Sequence, residues 1–197
     1  MNRRSIFLVA ILVAFVCVLS SESNAQGLVI GAMAENFALP DTNGKSQSLN
    51  NLKGEKGTIV VFLSAQCPVV KAYNSRINQI AADYEAKGIK FIGINSNATE
   101  SLDFVKSHAT ETYKFSVLID KGNVLADTFG ANVTPEMFYF NEKNVLIYHG
   151  AIDNDKSGNN ITINYLRDAL DANLAGKAVA KTTANAFGCG IKRATKN

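Results

Sequence analysis

Residues 58–63 read TIVVFL, an unbroken apolar run rich in β-branched side chains. Such a run suits a strand covered on both faces, and it predicts a central position in a sheet. From Pro68 the period changes. Val70, Tyr73, Ile77, Ile80, Ala81 and Tyr84 recur at three- and four-residue steps up to Gly88, which predicts an amphipathic helix closed by glycine. Residues 89–94, IKFIGI, supply a second strand. Strand, helix and strand in this order predict a right-handed βαβ unit with parallel strands.

The flanking segments extend that unit. A turn signal from Asp41 to Gly44 divides residues 37–49 into a β-hairpin. Downstream come a helix from Ser101 to about His108, a short strand at 116–119 and a short helix at 124–129. An antiparallel hairpin follows, with strands at 137–140 and 145–148, and a helix at 163–174 closes the domain. The order predicts an α/β protein with a mixed central sheet, helices on both faces and an N-terminal β-hairpin extension. The turn after TIVVFL is Ser-Ala-Gln-Cys-Pro, without the glycine-rich loop that a dinucleotide pyrophosphate needs.

The first residues predict the compartment. Asn2-Arg3-Arg4, an apolar run from Ile6 to Leu19 and a small polar stretch ending at Ala25 have the form of a secretory signal peptide. The expected division is signal peptide 1–25, one folded domain 26–176 and a tail 177–197, with the mature chain starting at Gln26 and destined for the periplasm or the exterior. Loss of residues 1–25 removes Arg3, Arg4, Glu22 and Cys17 and lowers the formal charge from +3 to +2. No basic stripe interleaved with aromatics favours nucleic acid, and no later apolar run is long enough to cross a membrane. His108 and His149 lack metal-ligand spacing and read as structural, so neither a metal nor a cofactor is expected. Asp153 and Asp155, in a polar loop, read as solvated, and three Asn-x-Thr matches at Asn97, Asn132 and Asn160 as chance.

Export leaves Cys67 and Cys189 in an oxidising setting. Cys67 falls where the central strand gives way to the helix, and Pro68 suits the first helical position. Free amides and the helix dipole at that end favour a thiolate, with Lys71 one turn on, which predicts a Cys67 thiol more acidic than an ordinary one. The bland alternative is a buried, inert cysteine. Cys189, between Gly188 and Gly190, is open to three readings: a resolving cysteine that reaches Cys67, a structural partner that closes a loop of roughly 120 residues and adds ~4–5 kcal/mol, or an unpaired thiol.

These residues resemble the thioredoxin superfamily, and within it the redoxins and peroxiredoxin-like proteins of the alkyl hydroperoxide reductase and thiol-specific antioxidant group. The resemblance runs from Ile30-Gly-Ala-Met-Ala-Glu-Asn-Phe-Ala-Leu39 through Cys67-Pro68 to Gly130-Ala-Asn-Val-Thr-Pro-Glu-Met-Phe138, and the tail Phe187-Gly-Cys-Gly-Ile-Lys192 is similar to the ending of one peroxiredoxin-like subgroup. It implies a thioredoxin fold, Cys67 as the nucleophile and a Thr134-Pro135 element whose proline is cis beside that cysteine. The backbone ahead of the proline would then pair with an extended substrate.

Two departures from the family narrow the function. The second cysteine of a Cys-x-x-Cys motif would stand at Val70, and one placed upstream would stand at Ser64, so local dithiol exchange is excluded. Ser64 matches the hydroxyl that supports a peroxiredoxin cysteine, but Val60 stands at the family's proline position and the arginine position falls near Pro135. The resemblance therefore implies an exported thiol oxidoreductase acting on a thiol or disulfide protein, with Cys67, Ser64 and Cys189 catalytic, Pro68, Thr134 and Pro135 binding substrate, and an external thiol as reductant. A thiol peroxidase acting on hydroperoxides, with an antioxidant role, is the first alternative. A redox-inert binding module of the same fold is the second.

Overall fold

The computed structural model describes residues 27–195. The expected signal peptide, with Cys17, lies outside the described residues. The chain opens with a hairpin of β1 (Ala38–Pro40) and β2 (Ser46–Ser48), whose turn is held by Asp41 as its carboxylate accepts the amides of Asn43 and Lys45 at 2.8 and 3.0 Å. Helix α1 (Leu49–Leu52), capped by Ser48, leads to β3 (Gly57–Leu63). Then follow α2 (Pro68–Glu85), β4 (Ile89–Asn95), α3 (Leu102–Thr112), β5 (Val117–Ile119) and α4 (Val124–Phe129). The second half contains β6 (Val133–Thr134), β7 (Glu136–Asn141), β8 (Leu146–Gly150), α5 (Tyr165–Leu174), β9 (Thr183–Ala184) and β10 (Cys189–Gly190).

The main sheet has the order β5-β4-β3-β7-β8-β9, with β3 parallel to β4 and antiparallel to β7. Every residue of β3 is buried, as the unbroken apolar run predicts. Its side chains divide by the period of two: Ile59, Val61 and Leu63 join the core layer shared with α2, α3 and α5, while Val60 and Phe62 join the layer shared with α1 and α4. Both faces of the mixed sheet are thus covered by helices, and the N-terminal hairpin is present. Both parallel steps, β3 to β4 and β4 to β5, put their connecting helices on the same face.

Three sequence expectations change. Helix α3 runs to Thr112 rather than His108, because Ala109 is buried and carries the apolar face one turn further. Helix α2 stops at Glu85, before Gly88. Asp153, expected to be solvated, is 2% exposed: Arg76 of α2 donates to it at 2.6 Å and the Tyr73 hydroxyl at 3.1 Å, so its charge is paired within the fold. The tail also builds more structure than its composition suggests. Strand β9 pairs parallel with β8, where Gly150 leaves room: a Cβ there would collide with the Ala184 main chain. Strand β10 pairs antiparallel with β6, placing Cys189 opposite Thr134. Among the described residues no helix is long and apolar enough to cross a membrane.

Candidate active site

Cys67 is the N-cap of α2, with φ −72° and ψ 118°, and Pro68 opens the first turn as the sequence predicts. The Val70 amide, where a second active-site cysteine would otherwise stand, points at Cys67 Sγ from 3.5 Å. A sulfur in that place faces the free amides and positive end of an 18-residue helix. Lys71 is exposed on the same turn.

Cys67 is bonded to Cys189, with Cα atoms 5.9 Å apart and a sequence separation of 122. Of the three readings left open for Cys189, the paired ones fit the structure. The cysteines are disulfide-bonded and carry no titratable proton. The Thr134 carbonyl lies 3.3 Å from Cys67 Sγ, the Thr134–Pro135 bond is cis, and both residues are buried beside the disulfide. The site thus brings together Cys67, Pro68, Thr134, Pro135 and Cys189.

Ser64 takes a different place from the one its family position implies. Its hydroxyl accepts the Cys67 amide at 3.2 Å and donates to Glu100 at 2.5 Å, so it holds the main chain rather than the sulfur. Glu100 was not singled out in the sequence. Its carboxylate accepts the Ala65 and Gln66 amides at 3.0 and 3.1 Å, and the Asn95 side chain donates to it at 2.6 Å. Parallel β3 and β4 pair Leu63 with Asn95 at their ends, so the loops that follow face one another. A single Glu in a polar loop carries no pattern; only the strand register reveals it. Glu136 acts similarly on the other side, accepting the Asn132 and Val133 amides at 2.8 and 3.2 Å while His149 Nε2 sits 2.7 Å from its second oxygen.

His108 stands apart, stacked edge-on against Tyr113, and burial holds its imidazole below the ordinary value of 6.5. No group of three or more metal-ligating side chains occurs among the described residues.

The AhpC/TSA family model matches residues 30–149. The thiol-disulfide oxidoreductase ResA of Bacillus cereus is 30% identical over 118 residues, 59% of this chain and 66% of the relative, so the chain spans just under two thirds of that protein's length. ResA of Bacillus subtilis is 26% identical over 155 residues, 74% of this chain and 84% of the relative. A solved hypothetical protein from Sinorhizobium meliloti 1021 superposes with a TM-score of 0.79 at 32% identity, covering 86% of this chain and 97% of its own. The thioredoxin domain of a Bacteroides vulgatus thiol-disulfide oxidoreductase, at 20% identity and a TM-score of 0.54, covers 62% of this chain and 89% of its own and identifies the fold as that of thioredoxin.

Proposed function

The chain belongs to the AhpC/TSA family, and on that premise we propose that it is an exported thiol-disulfide oxidoreductase in which Cys67 and Cys189 form the redox pair. The observation that supports this most is the bond between a sulfur capping a helix and one supplied by a tail strand. In the reducing direction the Cys67 thiolate attacks a substrate disulfide. A Cys67–substrate bond forms, the substrate bond breaks, and its second sulfur leaves as a thiolate that takes a proton. The Cys189 thiolate then attacks Cys67 Sγ, releases the remaining substrate thiolate and restores the internal disulfide. Two electrons pass to the substrate, and an external thiol reductant returns them.

Ser64 and Glu100 hold the loop that presents Cys67, and Thr134 and Pro135 wall the site. The division into a signal peptide at 1–25, a redoxin domain at 26–176 and a tail at 177–197 belongs to the same reading, as does delivery to the periplasm or beyond. The relatives' name, thiol-disulfide oxidoreductase, agrees with it.

The test is disulfide exchange with a glutathione redox buffer and with a disulfide-bonded protein. Cys67→Ser is expected to abolish exchange, and Cys189→Ser to accumulate a mixed disulfide on Cys67. No exchange by the unmodified protein would instead point to a redox-inert binding module. Stopped-flow consumption of hydrogen peroxide by the reduced protein separates the peroxidase alternative. Slow consumption is expected, since the Ser64 hydroxyl is engaged by Glu100 and the family's arginine position, near Pro135, holds no arginine.

A further inference from the structure

Cys67 is 2% exposed with Cys189 bonded to it, and Cys189 marks a path by which a sulfur reaches it. That path has a defined shape. Residues 189 and 190 pair antiparallel with Val133 and Thr134, and the Ile191 amide donates to the Asn132 carbonyl at 2.9 Å. Before the cysteine, a Cβ built at Gly188 would lie 2.3 Å from the Thr134 carbonyl oxygen and 2.7 Å from its carbon. These are main-chain atoms held in a strand and cannot yield. After the cysteine, a Cβ at Gly190 meets nothing within 4 Å. One residue further, Ile191 is 9% exposed and packs into the apolar layer on the α4 face. The tail around this segment lies on the surface: Phe187, Gly188, Gly190 and Lys192 are all exposed.

We propose that this slot is a sequence-selective site for an extended strand of a partner protein reading Gly-Cys-x-aliphatic, with the tail as its resident occupant. The proposal rests on the exchange chemistry above, since it describes which cysteines enter that chemistry. Three requirements follow from the geometry. Glycine must precede the cysteine, any residue may follow it, and an aliphatic side chain must come second after it. The partner's sulfur then forms with Cys67 the bond that Cys189 forms in the closed chain. Tail and partner strands cannot both pair with β6, so the partner strand leaves that edge before Cys189 attacks Cys67 Sγ, forms the internal disulfide and releases the partner's sulfur as a thiolate.

The test uses full-length Cys189→Ser protein whose Cys67 carries thionitrobenzoate as a mixed disulfide. A peptide thiolate that attacks Cys67 Sγ forms the new disulfide and releases the coloured thiolate. The probes are Phe-Gly-Cys-Gly-Ile-Lys and its variants with Ala before the cysteine, Ala after it, or Ser in place of Ile. The resident tail competes equally against each, so rate ratios read the slot. Ala before the cysteine is expected to slow release by about tenfold or more, within what forcing a methyl into a close contact costs. Ala after it should change the rate by less than about twofold, and Ser for Ile should lower it several-fold.

Equal rates for all peptides, with prompt release by dithiothreitol, would overturn the slot and leave the exchange chemistry standing. No release even by dithiothreitol would overturn both. An independent reading comes from the native chain. Gly188→Ala should shift the Cys67–Cys189 equilibrium in glutathione buffer about tenfold towards the dithiol, and Gly190→Ala by less than about twofold; equal shifts would refute the proposal.

Discussion

At the scale of single residues, Glu100 receives four hydrogen bonds, from Ser64, Ala65, Gln66 and Asn95. Replacing it by alanine strands two loop amides and a hydroxyl next to Cys67, and each unsatisfied group costs about 1–3 kcal/mol where water does not reach it. A urea unfolding midpoint measured on oxidised Glu100→Ala is expected to fall accordingly, with a further loss of exchange rate because the loop no longer presents the sulfur. His108 makes a pH prediction. Burial lowers its folded-state value, so below 6.5 the unfolded chain takes up the proton first and stability falls as the pH drops. His108→Phe should flatten the stability slope in the window just below 6.5, read by denaturant unfolding at several pH values. Cys67, Pro68, Thr134, Pro135 and Cys189 were legible in the sequence because residue type and order carry them. Glu100 was not, since its role depends on two strand ends lying side by side, and Asp153 was misread because only the fold brings Arg76 to it.

At the scale of elements, the sequence periods are long enough to define β3, α2, β4, β7 and β8, each of five residues or more. The tail strands are two residues each, too short to show any period, and they form because β8 and β6 offer free edges. The disulfide, the buried Ile191 and hydrogen bonds from Lys192 and Arg193 add to these ladders in holding the tail to the domain. In the chain-entropy picture, opening a loop of this length costs about 4–5 kcal/mol. Denaturant unfolding with and without dithiothreitol should differ by up to that amount, and Cys189→Ser should match the reduced protein. A difference near zero would mean that the bridge itself adds nothing to the stability of the domain.

At the scale of the whole molecule, the fold depends on contacts between distant segments. Arg76 joins α2 to the loop after β8, bonding Asp153 at 2.6 Å and the carbonyls of Asp155 and Lys156 at 2.7 Å. Asp153→Ala leaves that guanidinium with two carbonyl acceptors but no counter-charge and the Tyr73 hydroxyl without its acceptor, and a loss of about 3 kcal/mol is expected in thermal or chemical unfolding. The disulfide has a different consequence for the molecule under load. It ties position 67 to position 189, so a force applied at the two ends of the chain travels through the sulfur bridge and bypasses everything between. The central strand β3 lies on the loaded path, while its neighbours β4 and β7 lie within the bypassed ring. Pulled while oxidised, the protein would lengthen only by releasing the segment ahead of Cys67, from the β1–β2 hairpin through β3, and then stop. Reduction would release the ring and lengthen the tether by about 400 Å, at roughly 3.3–3.6 Å per residue, so that a single stretched molecule reports the state of its two cysteines as a length.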